Sequence, residues 1–128
     1  MTPETISRTI RAYFAAIRAM DVEAWVVMFA PDATSYDPVD APPTVGHDAL
    51  RQFFTAIVST FSKVSLIEDN IFIAGNGAAV KWTGQGTGKN GRKVRFEGID
   101  IFELNEAGLI QTIRAYWNPG EVIMQLQG

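Results

Sequence analysis

Cysteine is absent from this chain, and histidine occurs once, at His47. Without cysteine there is no disulfide, no thiolate nucleophile and no cysteine-held metal. A single histidine likewise excludes a multi-histidine metal centre. Basic charge is sparse: 11 Lys and Arg against 14 Asp and Glu leave a net charge of −3, with no basic stripe. Nucleic acid is therefore a poor partner, because phosphate neutralisation needs clustered cations. No apolar run approaches membrane-spanning length, so no membrane partner is expected. Met1-Thr2-Pro3-Glu4-Thr5 has neither the basic start nor the apolar stretch of a signal peptide. These absences lead us to expect a cytoplasmic protein.

What is present is ordinary globular material. Apolar residues make up 47% and charged residues 20% of 128. That length suits one domain over residues 1–128, with a core that needs no metal or disulfide.

The first half reads as helices. Thr2-Pro3-Glu4 supplies a cap, a first-turn proline and an acid at the positive end of the helix dipole. Ile6, Ile10, Tyr13, Phe14 and Ile17 follow at helical spacing, to about Met20. Asp21 caps an expected second helix from Val22 to Ala30, ended by Pro31-Asp32. Thr34–Asp37 is a short extended piece, because Pro38 disfavours helix at the residue before it. A third helix is expected from His47 to Ser59.

The second half reads as strands. Turn signals at Gly75-Asn76-Gly77, Lys89-Asn90-Gly91 and Asn105-Glu106-Ala107-Gly108 separate segments of strand length. An antiparallel meander of Val64–Ala74, Ala78–Gly86, Lys93–Leu104 and Leu109–Trp117 is predicted. Helices followed by a meander make an α+β domain. The helices must cover one face of a curved antiparallel sheet, leaving a cone whose mouth admits small ligands. Gly84, Gly86 and Gly88 are candidate bends in such a sheet.

Three residues fit that core poorly. In Lys93–Leu104, strand parity puts Asp100 on one face with Val94, Phe96, Gly98, Phe102 and Leu104. A carboxylate in an apolar row must find a cation, accept several hydrogen bonds, or stay protonated. Pairing with Arg114 is one resolution, and a neutral acid in a pocket is the other. Tyr13 lies on the inner face of the first helix, either as a core aromatic or as a pocket donor. Asp37, before Pro38, is a turn-capping aspartate on local sequence alone. Together the three are a set that proton abstraction next to a ketone requires: a base, and donors for the oxyanion that develops.

Arg11-Ala12-Tyr13-Phe14-Ala15-Ala16, Met20-Asp21, Phe29-Ala30-Pro31-Asp32-Ala33-Thr34, Tyr36-Asp37-Pro38-Val39, Gly98-Ile99-Asp100-Ile101-Phe102 and Arg114-Ala115-Tyr116 carry a resemblance. Over nearly its whole length the chain resembles the ketosteroid isomerases (steroid delta-isomerases). These lie within the nuclear-transport-factor-2-like, SnoaL-like superfamily of cone-shaped, cystatin-like half-barrels. The resemblance implies Asp37 as general base, with Tyr13 and a protonated Asp100 as oxyanion donors. It implies a cofactor-free shift of a β,γ double bond into conjugation with a ketone, on a small apolar steroid-like or polyketide-like ligand, in a homodimer. Phe54, Trp82, Phe102 and Trp117 are the expected pocket wall, and no metal is implied. The chain departs from the family at Phe54, where the isomerases carry a tyrosine behind the catalytic hydroxyl, and Phe29 is likewise not tyrosine. His47, at a helix start, reads as a surface or capping residue. Two other readings stay open: a SnoaL-like enzyme of polyketide cyclase or epoxide hydrolase type, and a non-catalytic binding module.

Overall fold

The computed structural model describes all 128 residues. The hydroxyl of Thr2 accepts from the Thr5 amide at 3.2 Å and starts α1 (Pro3–Ala19). Ile6, Ile10, Tyr13, Phe14 and Ile17 form its buried side, as their spacing predicts. The Asp21 carboxylate accepts from the Ala24 amide at 3.1 Å and caps α2 (Val22–Val26).

That helix is shorter than its sequence suggests. β1 (Phe29–Tyr36) already begins at Phe29, and Pro31 lies within the strand rather than ending a helix. Pairing slips between Phe29 and Thr34, and proline is tolerated at such an irregularity because its missing N–H breaks no regular ladder. The apolar run through Ala30 signalled burial: Phe29 and Ala30 are 0% and 1% exposed. A short β2 (Thr44–Val45) then leads into α3 (Gly46–Thr60).

The meander is β3 (Phe61–Ala74), β4 (Gly77–Gly88), β5 (Lys93–Leu104) and β6 (Ile110–Tyr116), its limits close to those predicted. The sheet order is β2-β1-β6-β5-β4-β3. All pairings are antiparallel except β1 with β6, which is parallel, so the sheet is mixed where an antiparallel one was expected. The cause is topological: β1 comes from the helical half and joins the meander beside its last strand. A final helix, α4 (Pro119–Gln127), was not anticipated, although Asn118 caps it by accepting from the Gly120 amide at 2.9 Å. No helix is long and apolar enough to cross a membrane.

The sheet is curved and unclosed, with β2 and β3 at its edges and α1 and α3 across its concave face. Arg18 anchors α1 to β3, reaching Glu68 at 2.7 Å and the Leu66 carbonyl at 2.8 Å. Gly88 is opposite Phe61 at a slip in the β3–β4 pairing, whereas Gly84 and Gly86 make room rather than bends, since the β4–β5 ladder is unbroken through both. A Cβ on Gly84 would come within 2.7 Å of the Phe96 ring. Across the ladder, a Cβ on Gly98 would meet the Trp82 ring at 2.5 Å and the Tyr116 carbonyl oxygen at 2.6 Å. These two positions let large aromatics lie flat inside the cone.

Candidate active site

Strand parity holds on β5: Val94, Asp100, Phe102 and Leu104 are buried, while Arg95 and Glu97 face outward. Asp100 is opposite Val80 on one side and Ala115 on the other, and is 3% exposed. Arg114 does not reach it. It lies on the opposite face of β6, its guanidinium 5.3 Å from the centre of the Tyr36 ring. Asp100 is thus buried without a cation, and the ion-pair resolution of the sequence pattern is not realised.

Asp37 follows the last residue of β1 and precedes a cis Asp37–Pro38 peptide. The parallel pairing sets Tyr36 opposite Arg114, and Val39 N–H donates to the Ala115 carbonyl at 3.0 Å. This holds Asp37 against the end of β6. Just beyond that end, Trp117 donates its indole N–H to Asp37 Oδ1 at 2.6 Å. Tyr13 reaches the same place from α1, 3% exposed.

The three residues line one cavity of about 110 Å³. Thirteen of its 15 lining residues are hydrophobic, and the other two are Asp37 and Asp100. Phe54, Trp82 and Trp117 are on the wall where the sequence places them. Phe102 is not. It is fully buried behind Tyr13, edge-on at 5.1 Å, and belongs to the core. His47 stays outside the cavity, its Nε2 2.8 Å from the Phe29 carbonyl oxygen, tying α3 to β1.

Electrostatics separate the two carboxyls. Burial raises Asp37 to about 6, against the lowering effect of the Trp117 N–H. Asp100 is pushed well above the usual carboxylate range, by burial first and then by the neighbouring charge of Asp37. Burial and the same two carboxylates hold the Tyr13 phenol well above its ordinary value. Of the two carboxyls Asp37 is thus the more readily ionised, while the surroundings of Asp100 and Tyr13 favour their protonated forms. One apolar cavity therefore holds two carboxyls of unequal acidity beside a phenol, a set able to supply a base and O–H donors.

The comparisons agree with this architecture. Residues 10–113 match the SnoaL-like domain. The chain belongs to the SnoaL-like family. Steroid Delta-isomerase of Nocardioides simplex is 27% identical over 120 residues, covering 93% of this chain and 94% of that protein. Among solved structures, the epoxide hydrolase/cyclase-like enzyme SalBIII, described in pyran ring formation in polyether salinomycin, is 26% identical, with a TM-score of 0.83. That match covers 92% of this chain and 94% of SalBIII. An NTF2-like protein of unknown function from Burkholderia pseudomallei K96243 has a TM-score of 0.84 over the full length of both chains, at 19% identity. It shows the fold alone.

Several wall residues of this SnoaL-like cavity lay outside the sequence reading. Phe53, Phe61, Phe96 and, from α4, Val122 line it. The cap-and-proline pattern of Asn118-Pro119 could have revealed α4. Nothing in the sequence pairs Trp117 with Asp37, which are 80 residues apart.

Proposed function

We propose that this protein is an isomerase of the steroid delta-isomerase type, moving a β,γ double bond into conjugation with a ketone. One observation carries the reading: two carboxyls share an apolar cavity with a tyrosine, and burial raises Asp100 further than Asp37, leaving Asp37 the more readily ionised. The whole-chain similarity to steroid Delta-isomerase supports it.

In this mechanism Asp37 takes a proton from the carbon between the ketone and the alkene. The C–H electron pair moves into a new carbon–carbon double bond, and the carbonyl oxygen gains the negative charge. The O–H groups of Tyr13 and Asp100 stabilise that dienolate oxygen. Asp37 then returns the same proton at the γ carbon. Electrons and protons balance without a cofactor. The cavity, about 110 Å³, is smaller than the cavity of about 150 Å³ that takes up benzene, so it holds at most one reacting ring, and the walls must give slightly to admit it. The remainder of a polycyclic ligand would sit in the mouth, against Phe53, Ile57 and Phe61.

The test is conjugated-enone absorbance from 5-androstene-3,17-dione over a range of pH. A base with a folded pKa of about 6 is active when deprotonated, so kcat/KM is expected to rise with pH through about 6 and to level across neutrality, before any alkaline decline. Absence of enone at every pH sinks the reading.

The likeness to SalBIII favours a second use of the same groups. Asp100 would protonate an epoxide oxygen while Asp37 deprotonates an attacking hydroxyl. Turnover of an epoxy alcohol, with none of the enone substrate, selects that reading.

We further propose a homodimer through the outer face of the sheet. Phe72, Ile99 and Tyr116 are 68%, 44% and 52% exposed there, and Ile99 pairs with Tyr116 across β5 and β6. Such exposed apolar surface is a natural contact between copies. Sedimentation at micromolar concentration should give twice the chain mass, and Tyr116→Lys should give the monomer. A wild-type monomer contradicts the proposal.

A further inference from the structure

Two buried groups have no role in the mechanism above. The indole nitrogens of Trp25 and Trp82 are shut off from solvent and have no hydrogen-bond partner within standard limits. Both side chains are 2% exposed. A buried N–H left unpaired is destabilising, so such groups need an account.

Their surroundings leave few acceptors. Trp25 is enclosed by Phe29 at 4.7 Å, Phe54 at 5.0 Å and Tyr13 at 6.1 Å between ring centres. Of those three rings only Tyr13 carries an oxygen. Trp82, on β4, is opposite Gly98, with Asp100 opposite Val80 two residues away. Trp82 and Asp100 are therefore diagonal neighbours on the buried face, a spacing that long side chains bridge. The edge of the Trp82 ring is directed to β5, because a Cβ on Gly98 would touch it at 2.5 Å.

We propose that Trp25 and Trp82 are positioning residues of the oxyanion site. Trp25 donates to the Tyr13 hydroxyl oxygen, and Trp82 donates to the carbonyl oxygen of the neutral Asp100 carboxyl. Each bond occupies the acceptor side of its partner and leaves the O–H proton for the ligand. Each also stabilises the ionised form of its partner, so both donors are more acidic than burial alone would make them. Trp25 thereby supplies, from α2, the support that Phe54 cannot give from α3. The inference rests on the oxyanion role proposed for Tyr13 and Asp100, but the hydrogen bonds themselves do not.

The experiment therefore has two arms. In ¹⁵N–¹H spectra the three tryptophans give three indole signals, with Trp117, bonded to Asp37, as internal reference. Tyr13→Phe should move the Trp25 signal upfield, and Asp100→Leu that of Trp82, with each substitution leaving the other signal in place. Signals unmoved by both substitutions overturn the proposal. In the second arm a phenolic steroid, equilenin, and its methyl ether are bound to wild type, Trp25→Phe and Trp82→Phe. Each substitution keeps an aromatic ring but removes the N–H together with part of the indole, and the ether controls for that lost packing. Each should reduce the preference for the phenol about three- to tenfold, the effect of one hydrogen bond, with the ether bound as before. Equal losses for phenol and ether make the indoles packing groups and overturn the inference alone. A wild type without preference for the phenol removes the oxyanion role itself, and the spectra still report whether the bonds exist.

Discussion

Asp37→Asn is expected to lower kcat for enone formation by about 10²–10⁴-fold, the usual contribution of a positioned general base. Asparagine keeps the shape and an acceptor for the Trp117 N–H, so the pocket should persist. Equilenin should bind at least as well, because a negative charge beside its oxygen is gone. Loss of activity together with loss of binding would mean that Asp37 holds the pocket together instead.

The same substitution should stabilise the fold. Asp37 has a folded pKa of about 6, above its value in the unfolded chain. Between about pH 4 and 6 the folded state therefore binds more protons than the unfolded one, and stability falls as pH rises. Below that window Asp37 is neutral in both states and contributes nothing. Above it the cost of the buried charge is complete, about 1–3 kcal/mol. Urea denaturation should show Asp37→Asn ahead of wild type at pH 8 and level with it near pH 4. An activity loss coupled to a stability gain is what a strained functional group gives.

Asp100→Leu is expected to cost about 10²–10³-fold in kcat with little change in KM, as for loss of one oxyanion donor. The charge of Asp37 already disfavours ionisation of Asp100. Wild-type activity should thus fall at alkaline pH, once Asp100 loses its proton and ceases to donate. Asp100→Asn retains a donor that does not ionise. It should keep part of the activity and lose the decline caused by Asp100, leaving only any limb due to Tyr13. A variant with an unaltered alkaline limb would assign that limb to Tyr13 or to unfolding.

Asp100 was legible in the sequence because strand parity is strict: alternate residues share a face, so an acid in an apolar row announces itself. Tyr13 was legible by the same logic at helical period. Asp37 was not, because its position depends on the parallel pairing of β1 with β6, which no local pattern encodes. That pairing also explains the misread end of α2. Phe29 and Ala30 are apolar because a covered strand needs them to be, and a short apolar run does not distinguish helix from strand. Phe102 shows the limit of parity. It shares the buried face with Asp100, yet Tyr13 packs between it and the space where a ligand would sit. Parity reports which face a side chain joins, and how deep it lies on that face depends on what crosses above it. The Trp117 bond to Asp37 is a third kind of miss, since it joins two chain segments only after both strands are in place.

The central claim is that one cavity holds Asp37 ionised and Asp100 protonated. Its most direct test is a pH titration of the two carboxyl carbons by ¹³C NMR, assigned with Asp37→Asn and Asp100→Asn. Asp37 is predicted to titrate with a midpoint of about 6, while Asp100 keeps its proton through neutrality. Two carboxyls both ionised at pH 7, each with a midpoint near the ordinary value for aspartate, would contradict it.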